Sequence, residues 1–219
     1  MTPLLKIGTG VLTIGTIAGA GYAGSTYFMN KEETAQKPQE SKPTIRQLIE
    51  KDFDYILLNT EATGIDDSAH WKTNWENYKR DNNDVLQLEG WTTKRADADL
   101  TPALKARCKT LSTNNDDNIL SNVTKYCGRA VTIADEAQKE KLTIISTGDA
   151  TADSTTWQSK ISKKQQLKTY LDKLSITDDN LNAATLKQKC SDLKGKKKQE
   201  DDYSNFYEAY KNLCTKLEG

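Results

Sequence analysis

Residues 104–111 read Leu-Lys-Ala-Arg-Cys-Lys-Thr-Leu, and residues 186–193 read Leu-Lys-Gln-Lys-Cys-Ser-Asp-Leu. The shared Leu-Lys-x-x-Cys-x-x-Leu puts Leu, Cys and Leu at i, i+4 and i+7, one face of a helix. Matches extend on both sides of the motif in the same order. Upstream, Thr44-Ile45 recurs as Thr132-Ile133, Lys51 as Lys139, Ile56 as Ile144, Ala62-Thr63 as Ala150-Thr151, Asp67-Ser68-x-x-Trp71 as Asp153-Ser154-x-x-Trp157, and Leu88 as Leu174. Downstream, Asn118 recurs as Asn205 and Cys127 as Cys214. Length differences fall between apolar runs, where loops absorb insertions. Such ordered recurrence marks a duplicated unit. The expected repeats are residues 44–130 and 131–219, with Trp71, Trp157, Leu104 and Leu186 as their shared core.

Within each copy the apolar spacing is mainly helical. Ile45, Leu48, Ile49, Phe53, Ile56 and Leu57 follow a helical stripe that starts at Pro43-Thr44. Trp71, Trp75 and Tyr78 share a face, with Ser68 as the expected N-cap. Leu104, Cys108 and Leu111 make the next helix, with Pro102 in its first turn. Ile119, Leu120, Val123, Tyr126 and Cys127 make a fourth. In the second copy Leu167, Tyr170, Leu171 and Leu174 form a stripe, as do Tyr203, Phe206, Tyr207, Tyr210, Leu213, Cys214 and Leu217. Leu142-Thr143-Ile144-Ile145 reads equally as a short strand. The fold class is therefore mainly α: two tandem small helical bundles, or one merged bundle, with short β segments.

The chain contains four cysteines, two in each copy and each on an apolar stripe. Three pairings are open to them. A bond inside each copy survives duplication, whereas crossed bonds need both copies at once. Cys108–Cys127 and Cys190–Cys214 are expected on that ground, with four buried thiols as the alternative. Cross-links suit small copies with few large apolar side chains.

The 219 residues carry 31 basic and 31 acidic side chains, but not evenly. Residues 1–30 hold one charged side chain, Lys6, and six of the twelve glycines. Ile7 to Asn30 is an uncharged run of 24 residues, against roughly 20 needed to cross a bilayer. Residues 1–30 are read as a signal anchor that enters the bilayer through residues 7–29. A cleaved signal peptide ending at Ala18-Gly19-Ala20 is the alternative. Residues 31–43, charged and with Pro38 and Pro43, read as a disordered stalk. The weak excess of positive charge before the run places the C-terminal part outside the cell.

No catalytic set stands out. His70 is the one histidine, and Thr156 takes its place in the second copy. There is no Cys-x-x-Cys and no glycine-rich phosphate loop, so neither a metal nor a cofactor is expected. Balanced charge argues against nucleic acid. Lys194-Gly195-Lys196-Lys197-Lys198, followed by Glu200-Asp201-Asp202, reads as a solvated loop.

The Gly-rich anchor, the charged stalk, the Trp-x-x-x-Trp-x-x-Tyr run at Trp71–Tyr78 and the Leu-Lys-x-x-Cys motifs together resemble a known group. They are similar to the large paralogous families of uncharacterised surface proteins encoded by haemotropic mycoplasmas. The resemblance implies a wall-less cell, an anchor in its single membrane and an outward domain facing blood. It carries no catalytic residues to transfer. The chain departs from the family pattern at Tyr126 and Leu213, where a Trp often precedes the second Cys of a copy. The function expected is an extracellular interaction module without catalysis, binding a host surface or plasma protein or serving as a variable antigen. A structural, oligomerising membrane protein and a carboxylate-based surface hydrolase are the alternatives.

Overall fold

The computed structural model describes residues 42–216 except Ala62, Asp97, Asp149 and Ala150. The anchor, nearly all of the stalk and the bilayer contact read for residues 7–29 lie outside the described residues, as does Leu217. Among the described residues no helix is long and apolar enough to cross a membrane. The described residues belong to one compact unit.

The fold is mainly helical. The first copy contains α1 (Ile45–Asp52), β1 (Tyr55–Leu57), α2 (Ser68–Asp81), α3 (Trp91–Lys94), α4 (Thr101–Ser112), α5 (Leu120–Cys127) and β2 (Gly128–Ala130). The second contains α6 (Ile133–Lys139), α7 (Ser154–Ser162), α8 (Lys164–Lys173), α9 (Ala183–Leu193) and α10 (Tyr203–Cys214). Buried side chains fall into two clusters. One draws on Ile45 through Cys127, the other on Ile133 through Cys214.

The copies match in detail. Thr44 and Thr132 each close a capping box at the start of their first helix, satisfying N–H groups that a helix end leaves unpaired. Ile45 N–H donates to the Asn114 carbonyl (2.7 Å), and Ile133 N–H to the Lys196 carbonyl (3.0 Å). The Trp71 indole donates to the Asn59 carbonyl (2.8 Å), and the Trp157 indole to the Ser146 carbonyl (3.1 Å). Asp67 accepts from Asn59 N–H, and Asp153 from Ser146 N–H.

Several sequence expectations need correction. α1 stops at Asp52, because Phe53 adopts the left-handed region (φ 50°), and Ile56 and Leu57 belong to β1 instead of the helical stripe. Ser68 is the first residue of α2, not its cap. Asp67 stands at the cap, with its carboxylate committed to Asn59. The strand register also shifts by one. β1 pairs antiparallel with β2, with Leu57 opposite Gly128, while Ile144 bridges Thr215. Ile144 therefore corresponds to Leu57, not Ile56. At Gly128 an added Cβ would lie 2.9 Å from the Thr124 carbonyl oxygen and 3.2 Å from that of Ile56, so only glycine admits this approach.

The long helix of the first copy is broken in the second. α2 is continuous and carries Trp75 and Tyr78 into an aromatic cluster, with Tyr78 edge-on to Trp91 (5.1 Å) and Tyr126 (4.7 Å). The corresponding residues are Ile161 and Lys164, and Lys164 pairs with Asp178. A lysine does not take Tyr78's buried place. The chain turns at Lys163, and Leu167 and Leu171 of α8 fill the core instead.

Candidate functional site

The predicted cysteine pairs are both formed. Cys108–Cys127 joins α4 to α5 and Cys190–Cys214 joins α9 to α10, with Cα–Cα distances of 5.5 and 5.6 Å. All four cysteines are buried, as are Trp71, Trp157, Leu104 and Leu186. Each bond therefore lies inside one core and ties the end of a copy to its middle.

Beside each core tryptophan lies a buried polar side chain that sequence reading missed. Asn74 donates to the carbonyls of Tyr126 (3.1 Å) and Gly128 (2.9 Å). Lys160 occupies the matching position and donates to the Asn212 carbonyl (2.6 Å). Tyr126 and Asn212 lie in the last turn of α5 and α10, where carbonyls have no partner within the helix, and Gly128 follows α5 directly. A hint is visible in the sequence, since each lies three residues after its Trp, but the two residue types differ.

Burial lowers the pKa of Lys160 from its ordinary 10.5, and the charge of Lys163 adds to the effect. The folded chain therefore holds this proton less firmly than the unfolded chain. Between the two pKa values the unfolded state binds more protons, so stability climbs with pH across that window. Wild type is expected to gain stability relative to Lys160→Met as pH rises towards about 10, the upper end of the window being set by an unperturbed lysine. Urea denaturation of both proteins reads this directly. A pH-independent difference would show that Lys160 titrates normally.

The copies meet around the corner that follows α1. Val131 N–H donates to the Asp54 carbonyl (3.0 Å). Arg129 forks onto Asp135 at 2.6 and 2.8 Å. Burial pushes the Asp135 carboxyl up, but its bonds to Arg129 and Thr132 outweigh this and leave it below the ordinary range. Lys198 reaches the Phe53 carbonyl (3.1 Å) and the Asp54 carboxylate (3.2 Å), and Lys139 lies 3.7 Å from the Phe53 ring centroid. The lysine run is thus not simply solvated. Lys196 pairs with Glu200 and Lys198 clamps the first copy, while Lys197 lines the open surface.

That surface is a groove of about 740 Å³ spanning the join. Its wall includes Tyr55, His70, Asn77, Lys125 and Arg129 from the first copy and Lys197 from the second. His70 is exposed. Lys125 is paired with Asp81 at 2.7 Å, and Asp81 also accepts from Tyr126. The groove presents amide, hydroxyl, aromatic and cationic groups. Among the described residues no cluster of His, Cys, Asp or Glu is placed to hold a metal ion.

No known protein family, curated protein or solved structure matches this chain.

Proposed function

We propose that this chain is a membrane-anchored surface protein whose repeats, residues 44–130 and 131–219, form an extracellular interaction module. The observation that carries the reading is the pair of buried disulfides, one closing each copy. Structural disulfides of this kind persist in oxidising compartments and are rare in the cytosol. The uncharged run Ile7–Asn30 supports the anchor, with its single Lys6 on the inner side. The groove across the join is the recognition surface. It is lined from both copies, so its shape depends on the lock at Arg129–Asp135 and Lys198–Asp54.

Antibody labelling of cells tests the placement. Antibody against residues 44–219 is expected to label intact cells, and the four cysteines are expected to resist alkylation until a reductant is added. Labelling confined to permeabilised cells, with freely alkylated thiols, would remove the basis of the proposal.

A further inference from the structure

The second copy contains a small internal contact that the first copy lacks. Lys211 on α10 places its ammonium 3.6 Å from the Glu140 carboxylate and 4.7 Å from the centroid of the Tyr207 ring. Opposite charge and an aromatic face together favour a cation there. The matching positions in the first copy follow from the paired landmarks. Counting back from Cys214 and Cys127, Lys211 becomes Thr124 and Tyr207 becomes Leu120. Counting on from Thr132 and Thr44, Glu140 becomes Asp52. The carboxylate is kept, and the lysine is not.

Where Lys211 runs in the second copy, the first has a cavity of about 280 Å³ lined by Ile49, Asp52, Asp54, Tyr55, Leu120 and Thr124, among others. Asp54 is paired with Lys198. The Asp52 carboxylate has no ion pair or hydrogen bond among the described residues. Ile49 and Leu120 supply apolar surface, Tyr55 an aromatic ring, and Asp52 a negative charge. A lysine side chain has the complementary build, an aliphatic stem that accepts apolar contact and an ammonium head that seeks charge.

We propose that this pocket receives a lysine side chain of a partner protein, which takes the place Lys211 fills from within the second copy. The inference rests on the reading of the chain as an interaction module and extends its groove, which shares Tyr55, Ser121 and Thr124 with the pocket.

The test is carbodiimide coupling of the full chain to Nα-acetyl-lysine N-methylamide at limiting amine, followed by peptide mapping. Asp52 is expected to couple several-fold faster than Asp201, a carboxylate elsewhere on the surface that is exposed as Asp52 is. Thr124→Lys should abolish that preference and form an intrachain link from Asp52 to the new side chain, copying the second copy. Thr124→Met fills the pocket without charge and should abolish the preference with no such link, which keeps the test open if the first variant misfolds. Equal coupling of Asp52 and Asp201, or a preference that survives both variants, would overturn the proposal. So would a wild-type link from Asp52 to Lys31, Lys37 or Lys42, since the chain would then fill its own pocket. Cell labelling and coupling fail independently: loss of surface display leaves the chemistry at Asp52 untouched, and the reverse holds.

Discussion

Trp157→Ala is expected to destabilise the protein by about 3–5 kcal/mol, the usual range for removing a fully buried tryptophan. Trp157 is 0% exposed and packs in the core formed by α7, α8, α9 and α10. Truncation removes its apolar burial, leaves a cavity that a disulfide-tied core cannot readily close, and deprives the Ser146 carbonyl of its indole donor. In a folded region of this size the loss corresponds to a fall in Tm of roughly 10 °C. Trp157→Phe keeps most of the ring but loses the N–H, so a smaller fall is expected. Trp71→Ala should behave like Trp157→Ala, because Trp71 is 1% exposed and bonds the matching carbonyl of Asn59. Thermal denaturation of the three variants checks the order. A loss below about 1 kcal/mol for either alanine variant would show that the tryptophan is not a core element.

The elements that could be read from sequence are those repeated in kind. Leu104, Cys108 and Leu111 recur as Leu186, Cys190 and Leu193, and in both copies the structure buries all three. Pairing of the cysteines followed from the same recurrence. What could not be read lay where the copies differ or where distant segments meet. Phe53 ends α1 by turning left-handed, and nothing in its side chain announces this, since an apolar residue at that spacing also fits a longer helix. The helix break at Lys163 accompanies the exchange of Tyr78 for Lys164, a change whose effect depends on the core around it. Lys198 looked like one more solvated charge until the corner at Phe53 and Asp54 came against it. The pocket beside Asp52 draws on α1, β1 and α5, and is recognised only by setting it against Lys211 in the other copy.

Removing one disulfide by Cys108→Ala with Cys127→Ala is expected to cost about 3 kcal/mol, and Cys190→Ala with Cys214→Ala about the same, from the chain entropy returned to the unfolded state. The bonds span 19 and 24 residues, and loop-closure entropy grows so slowly with length that the two losses should be close. They lie in different buried clusters. Effects at separate sites add within a few tenths of a kcal/mol, so the quadruple variant should lose about 6 kcal/mol. A typical domain holds only about 5–15 kcal/mol in all, which places the cysteine-free chain near the edge of folding. Urea denaturation of the two double variants and the quadruple one measures each term. A quadruple loss well short of the sum would mean that the copies unfold separately, the join at Arg129–Asp135 being too weak to couple them. A loss well beyond it would mean that each core depends on the other through that join.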